Sequence, residues 1–458
     1  INWAKIAWKD ASWRFISLTD GRQPLQTWGT IPFLKLTADN YLLGGRLFSV
    51  ATGFLALAGI GSFLFYLWGK RASLIGMLLY IFVPYFLFYD RMALMDSGVN
   101  AFFIWMLFLS VVLVRNQRLD VALIFGLLSG LATLSKSTVR IFFLTAAFAP
   151  ILLLPLQKRN KMIKNSINYL LLLAVGSGIA FTVYNVQRLS QFFHYVSGKN
   201  TTFVMSFSEF FQTPFAYLFQ NIVSIPQYVF WEMGFIVPLF GLIGFYFLYQ
   251  KDRTLFWYLV IWFAIPYLII SLFAKVLYPR YITYLGSILL ITASYYLSTV
   301  KWQHLRAYLL VIFLSVAPFL YTIWFNHAHI PFPQVDRGQY IEGWPAGWGA
   351  REVIAYAEEQ AQEQPVHIIA EGNFGMSGDV LNVLKGDNEN ISVSGYWPLT
   401  EESLQENMDL LEEKQVYVVF SHRTEFPEDE WPIERIKVFD RPGDEARMAL
   451  FRLVPKQN

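Results

Sequence analysis

Not one of the 458 residues is a cysteine. That excludes disulfides, thiolate metal sites, thiol nucleophiles and lipidated cysteine, so any water-exposed domain must hold by its core alone. Charge is scarce as well: Asp, Glu, Lys and Arg make up 15% of the chain, well under the roughly 25% of a soluble domain. The net charge of +3 is small for such a length, and much of it gathers in short loops, where it marks membrane topology and not a nucleic-acid footprint. Nucleic acid is therefore not an expected partner. A glycine-rich phosphate fingerprint is missing too, because Glu371-Gly372-Asn373-Phe374-Gly375 is too irregular for one.

What the chain has in quantity is apolar sequence: 55% of residues are hydrophobic and 18% aromatic. Run after run reaches the ~17–25 residues that carry a helix across ~30 Å of hydrocarbon. Without water to satisfy backbone groups, such runs are helices packed as a bundle. We place spans at about 41–68, 72–89, 97–114, 120–136, 139–156, 166–186, 231–249, 254–273, 281–299 and 307–326. The expected fold is a polytopic α-helical membrane protein with an α/β domain at its C-terminal end. Its divisions are an outward-facing amphipathic segment at 1–40, a transmembrane bundle at 41–326 and a soluble domain at 327–458.

Orientation follows from Lys and Arg, which favour cytoplasmic loops. One set of loops holds Lys70-Arg71, Arg115 to Arg118, Lys158 to Lys164, Lys251 to Arg253 and Lys301 to Arg306. The alternate set holds fewer and more scattered cations, among them Arg91, Lys136, Arg140, Lys199, Lys275 and Arg280. Segment parity then puts residues 1–40 and everything after about 327 outside a plasma or inner membrane. The chain begins with Ile1 and shows no signal-like segment before its outward end, from which an upstream helix is expected. In residues 1–40, Trp3, Trp8, Trp13 and Trp28 mix with Lys5, Lys9, Arg14 and Lys35 as in helices lying at headgroup level. Asp10, Asp20 and Arg22 exceed what an anchor needs and point to a segment that roofs a cavity.

From about residue 350 the pattern alternates helix and strand, with strands near 367–370, 391–394, 416–421, 435–440 and 447–453. Helices alternating with buried strands indicate an α/β layer domain with a largely parallel sheet. It reads as acceptor-binding or structural.

Chemistry is sought where charge meets the outer boundary, because an ionisable group within a span costs ~2.5–3.5 kcal/mol on insertion. Four stretches stand out. Tyr89-Asp90-Arg91-Met92-Ala93-Leu94-Met95-Asp96-Ser97 places Asp96 at the mouth of the bundle, as a carboxylate for a hydroxyl or metal, with Arg91 to fix it or a phosphate. Leu134-Ser135-Lys136-Ser137-Thr138-Val139-Arg140 surrounds a lysine with hydroxyls, which suits an anionic headgroup. Lys275-Val276-Leu277-Tyr278-Pro279-Arg280-Tyr281 sets an arginine on a rigid turn. Thr19-Asp20-Gly21-Arg22-Gln23-Pro24-Leu25-Gln26-Thr27-Trp28 forms a loop that lies over the other three. Polar hairpins and snorkelling cations are the structural alternatives.

The order and spacing of these stretches resemble the GT-C fold glycosyltransferases of the dolichyl-phosphate-mannose protein mannosyltransferase type, which include bacterial aminoarabinose transferases. The resemblance runs over about residues 1–300. It rests on Gln23-Pro24-Leu25-Gln26-Thr27-Trp28, Gly45-Arg46-Leu47-Phe48-Ser49, Arg91-Met92-Ala93-Leu94-Met95-Asp96, Leu134-Ser135-Lys136 and Pro279-Arg280-Tyr281. The family's Asp-Glu pair after the first membrane helix has no counterpart, and the expectation is that it lies upstream of Ile1.

The resemblance implies a GT-C-like bundle that moves a sugar from a polyprenyl-phosphate donor to an acceptor hydroxyl on the outer face, with inversion. The acceptor is a protein, lipid or glycan. Site residues implied are Asp96, Arg91 and Asp20 for catalysis. Lys136, Arg280, Arg140 and Tyr281 are implied for the donor phosphate, and Arg22 and Pro24 for the cavity loop. No cofactor is required by the sequence; a divalent cation at Asp96 is a further implication of the family. The competing expectation is a polytopic transporter or flippase for a lipid-linked or small anionic substrate, which predicts inverted repeats and broken helices near the midplane.

Overall fold

The structure is a computed structural model that describes residues 1–38, 40–154, 159–373, 375–443 and 447–455. Lys158 of the expected cytoplasmic loop, the end of the run 139–156 and Phe374 lie outside the described residues. The chain divides into two compact units. One comprises residues 3–33 and 45–325, the other residues 1–2, 34–44 and 326–458. Within the segment 1–40, residues 3–33 go with the bundle, and residues 1–2 and 34–40 go with the C-terminal unit.

The bundle's helices, in chain order, begin with α1 (Asn2–Lys9), α2 (Leu25–Thr37), α3 (Tyr41–Trp68), α4 (Lys70–Phe82) and α5 (Pro84–Tyr89). They continue with α6 (Asp96–Asn116), α7 (Leu119–Thr133), α8 (Arg140–Ala146), α9 (Arg159–Asn185), α10 (His194–Phe203) and α11 (Phe207–Gln212). The last are α12 (Leu218–Glu232), α13 (Ile236–Lys251), α14 (Arg253–Phe273), α15 (Thr283–Thr299) and α16 (Trp302–Phe325). Among the described residues six helices are long and apolar enough to cross a bilayer: α3, α6, α9 with its extension to Leu189, α14, α15 with its preceding turn from Pro279, and α16. The pair α12 and α13 is long and apolar enough only when taken together, and it is bent by 111°, as a broken span or a re-entrant loop is.

The ten apolar runs are therefore built in two ways. Some are single helices; others are broken. The run 72–89 splits at Val83, because Pro84 has no N–H to give and starts α5 instead. The run 139–156 becomes the short α8 between two 3-10 turns. The bend after α12 is made by Gly234 at φ 73° and Phe235 at φ 59°, values that only glycine takes without strain.

Helices α6 and α15 are buried on nearly every side and form the centre of the bundle. On α15 the buried Ser294 hydroxyl returns to its own helix, donating to the Leu290 carbonyl at 2.7 Å. Small residues allow close packing in the absence of a hydrophobic drive between helices in lipid. A Cβ on Gly241 of α13 would lie 2.7 Å from the Leu289 carbonyl oxygen of α15, and one on Gly244 would run into that of Thr292.

The C-terminal unit is a five-stranded sheet of order β2-β1-β3-β5-β4. The strands are β1 (Val366–Glu371), β2 (Ile391–Tyr396), β3 (Gln415–Phe420), β4 (Ile433–Phe439) and β5 (Met448–Leu453). All five fall where the sequence places them to within two residues. Strands β2 and β3 run parallel to β1, in register Val366↔Ile391 and Val366↔Gln415. Strand β5 is antiparallel to β3 and β4. β1 is buried along its whole length, as a central strand covered on both faces must be. Ile368 and Ala370 pack with α18 (Ala350–Gln360) and α19 (Ser377–Leu384), while Ile369 joins Leu404, Phe420 and Phe451 on the other face. Two further short helices, α17 (Gln334–Tyr340) and α20 (Glu401–Gln405), complete the unit. After α20 the chain makes a 3-10 turn at Met408–Glu412 before it enters β3.

Candidate active site

Three motifs that lie far apart in sequence meet at one end of the bundle. Asp96 is the first residue of α6 and is 4% exposed; a helix N-terminus favours a carboxylate there. Lys136 follows α7 in extended conformation, once the backbone N–H of Leu134 has closed the helix on Gly130 and Leu131. Arg280 sits in the 3-10 turn Pro279–Ile282 that opens α15, and Tyr85 of α5 holds this turn by donating to the Pro279 carbonyl at 2.5 Å.

Lys136 Nζ is 2.7 Å from Asp96 Oδ1, and Arg280 Nε is 3.8 Å from Asp96 Oδ2. The ring of Tyr281 lies under Lys136, 3.7 Å from Nζ to the centroid, and 5.0 Å from the Arg280 guanidinium. Tyr278 takes the other side of Arg280 at 4.6 Å. Two cations thus share one carboxylate and two aromatic faces. Lys136 and Arg280 are cations fixed where little water reaches, and an anion gains most from fixed cations in such a place.

Polar contacts fix the helices that carry the cluster. Ser97 Oγ donates to the Ser49 carbonyl at 3.1 Å and accepts from Thr52 at 2.8 Å. Deeper, Tyr80 donates to Asp90 at 2.8 Å and accepts from Asn100 at 3.1 Å, while Ser287 donates to Asn100 Oδ1 at 2.7 Å. That chain joins α4, α6 and α15. Asn100 and Ser287 carry it and were passed over in the sequence because each is a single polar residue in an apolar run.

The loop that contains Arg22 and Pro24 reaches the same end. The Leu25 N–H bonds the Leu134 carbonyl at 3.0 Å, and Gln23 Nε2 donates to Ser137 Oγ at 2.7 Å. Asp20 pairs with Arg22 at 2.8 Å and lies 3.6 Å from Lys199 of α10.

Two expected residues point elsewhere. Arg91 packs its guanidinium over Trp324 of α16 at 5.2 Å, with the Ile323 carbonyl at 3.5 Å. Arg140 donates to Tyr184 Oη of α9 at 2.7 Å. Lys275, from the same stretch as Arg280, is tied to Glu209 at 2.6 Å, and that bond holds the Glu209 carboxyl down at about 2.

One residue was missed outright. Glu232 ends α12 at the bend, is fully buried, and neither carboxylate oxygen has a hydrogen-bond partner. Its signal was a lone acid in Val229-Phe230-Trp231-Glu232-Met233-Gly234, the kind of intramembrane charge that marks function. Its neighbour Met233 abuts Gly286 of α15.

Among the described residues no three His, Asp or Glu side chains come together as metal ligands. Lys136 and Arg280 oppose a further cation on Asp96, so the residues of this cluster do not fit a divalent metal and no step is assigned to one.

A multi-pass helical membrane protein with charged hairpins gathered at one end, and with a small α/β domain after the bundle, has the fold of the GT-C glycosyltransferases. Within that class, residues 22–184 match the family described as dolichyl-phosphate-mannose-protein mannosyltransferase. The fold is similar to that of ArnT from Cupriavidus metallidurans in the apo state, with a TM-score of 0.59, 12% identity, and 95% of this chain and 89% of that chain covered. The same protein bound to undecaprenyl phosphate matches with a TM-score of 0.56, 14% identity and the same coverage. No curated protein matches the chain in sequence.

Proposed function

We propose that the chain transfers a sugar from a polyprenyl-phosphate donor to an acceptor hydroxyl on the outer face of the membrane, inverting the anomeric centre. The observation that carries this reading is the Lys136–Asp96–Arg280 cluster: two cations held on one carboxylate at the end of a lipid-embedded bundle. The undecaprenyl phosphate bound by the similarly folded ArnT supports a polyprenyl donor. Such a donor keeps its tail among the helices and its phosphate at their ends.

In the proposed reaction the acceptor oxygen attacks the anomeric carbon as the bond from that carbon to the phosphate oxygen breaks. The phosphate leaves with the electron pair, and Lys136 and Arg280 stabilise the charge that grows on it. Both cations exchange Asp96 for phosphate when the donor arrives. Asp96 is then free to receive the hydroxyl proton, a role that requires hydrogen-bond reach and an ionised carboxylate. Asp20, in the loop above, is the second carboxylate in play. The protein is proposed to lie in the plasma or inner membrane with its α/β domain outside.

The test is to supply the protein in membranes with radiolabelled polyprenyl-phosphate sugars and follow label leaving the lipid. Transfer that is lost in Lys136→Ala and in Arg280→Ala supports the reading. A folded protein that transfers nothing from any donor ends it. Label that crosses the bilayer still attached to lipid phosphate would instead establish the flippase reading, which the broken α12–α13 pair and its buried Glu232 favour.

A further inference from the structure

The C-terminal domain holds an aromatic crevice that the donor chemistry does not use. In its sheet, the chain leaves β1 for β2 on one side and then crosses back to β3 on the other. The connections therefore part company at the carboxyl ends of β1 and β3, which is where open α/β sheets receive ligands. The N-terminus of α19, the other usual ligand position, is already filled: Asp379 accepts from the Gly375 N–H and, at 2.7 Å, from Asn2.

Glu371 ends β1 and is 4% exposed. Its carboxylate accepts the backbone N–H groups of Ser421 and His422, each at 3.3 Å, and Arg423 Nε at 2.7 Å. Arg423 also donates to the Leu399 carbonyl at 2.8 Å. The segment leaving β3 is thereby locked, and with it the His422 imidazole. Trp344 packs on that ring with centroids 4.5 Å apart, and Trp397, which follows β2, packs on it at 5.0 Å. The indoles stay 39% and 57% exposed. His422 Nδ1 is engaged with Ser421 Oγ at 2.9 Å, and Nε2 is buried with no hydrogen-bond partner.

Two open indoles flanking an imidazole, on a floor of carboxylate and guanidinium, suit a ligand with apolar faces and a polar edge. A pyranose ring has both. A wholly apolar ligand would leave the buried His422 Nε2 unpaired, at a cost, whereas a sugar hydroxyl has the chemistry to pair with it. We propose that this crevice binds a saccharide and that a glycan is the acceptor class, which rests on the transferase reading above.

The test uses the full-length protein in detergent micelles with three neutral probes: cellohexaose, α-1,6-mannohexaose and chitohexaose. Saturation-transfer NMR is expected to show binding of at least one. Trp344→Ala and Trp397→Ala should each weaken it about tenfold, the loss of one good aromatic contact, and Trp397→Phe should keep most of it. Unfolding temperatures should match the parent, since both indoles are surface groups. Failure to bind any of the three overturns the proposal, as does unchanged binding by the double Trp→Ala variant. So does quenching of Trp397 by brominated lipids in nanodiscs, which would make it a membrane anchor. Binding of undecaprenyl phosphate in the same preparations reports separately on the donor. If it is absent while the hexasaccharide still binds, the transferase reading fails and the crevice stands.

Discussion

The ammonium of Lys136 lies 2.7 Å from the carboxylate of Asp96, although 40 positions separate the two in sequence, Asp96 at the start of α6 and Lys136 beyond the end of α7. Arg280 lies on the second oxygen, so Asp96 has a cation on each side. The arrangement is poised to trade one anion for another.

Lys136→Ala and Arg280→Ala should each weaken polyprenyl-phosphate binding by about ten- to a hundredfold, the worth of one charge-assisted hydrogen bond. Binding of labelled undecaprenyl phosphate in nanodiscs measures this directly. Equal affinity in both variants and the parent would remove the phosphate role.

Asp96→Asn leaves two cations facing each other in a site of low exposure. It should lower stability by about 2–3 kcal/mol, somewhat under the loss for a fully buried pair because Lys136 keeps 22% exposure. Turnover should fall with it. Adding Lys136→Met should restore part of the stability and none of the turnover. Additive losses in thermal unfolding would mean that the two residues are not coupled.

Glu232→Gln replaces a buried carboxyl with an amide of nearly the same shape. The unfolding temperature should hold or rise, because no partner is left behind. Sugar transfer should drop if the acid is retained for function. Full activity with unchanged stability would make Glu232 a bystander.

Gly244→Val should separate α13 from α15, since even a Cβ there meets the Thr292 carbonyl. A loss of about 1–3 kcal/mol is expected for such overpacking. Gly178→Val is the control, because open space surrounds it. Similar unfolding temperatures for the two variants would contradict the packing.

His367 on β1 is 6% exposed, and burial together with the charge of Lys414 pushes its pKa down from 6.5 to about 4. The folded domain therefore resists a proton that the unfolded chain accepts. Its contribution to stability is complete above about pH 6.5 and is lost as the pH falls toward about 4. Hydrogen exchange across residues 366–371 should accelerate over that range beyond the intrinsic rate. His367→Asn, which keeps a partner for Ser392, should flatten the dependence.

The sequence announced the site through charge. In so apolar a chain Asp96, Lys136 and Arg280 stood out, and they meet. Arg91 and Arg140 gave the same local signal yet pack on Trp324 and Tyr184, because sequence places a charge at a helix end without giving the direction in which that end turns. Hydropathy alone also hides breaks. The run 231–249 looks continuous, although Gly234 and Phe235 bend it away from α12. In the α/β domain the strands were legible from burial and alternation, whereas the antiparallel return of β5 between β3 and β4 depends on long-range pairing that no local pattern encodes.

The compact unit formed by residues 34–44 and 326–458 is discontinuous. Tyr41 hydrogen-bonds Asp387, and Asn2 reaches Asp379, so the two parts complete one another. During synthesis the early part leaves the ribosome long before its partner exists, and residues 45–325 of the bundle are translated in between. A chain arrested after Phe325 would carry helices α3 to α16 and still hold an unfinished domain. Residues 34–44 therefore gain these packing partners only after the bundle helices have been translated.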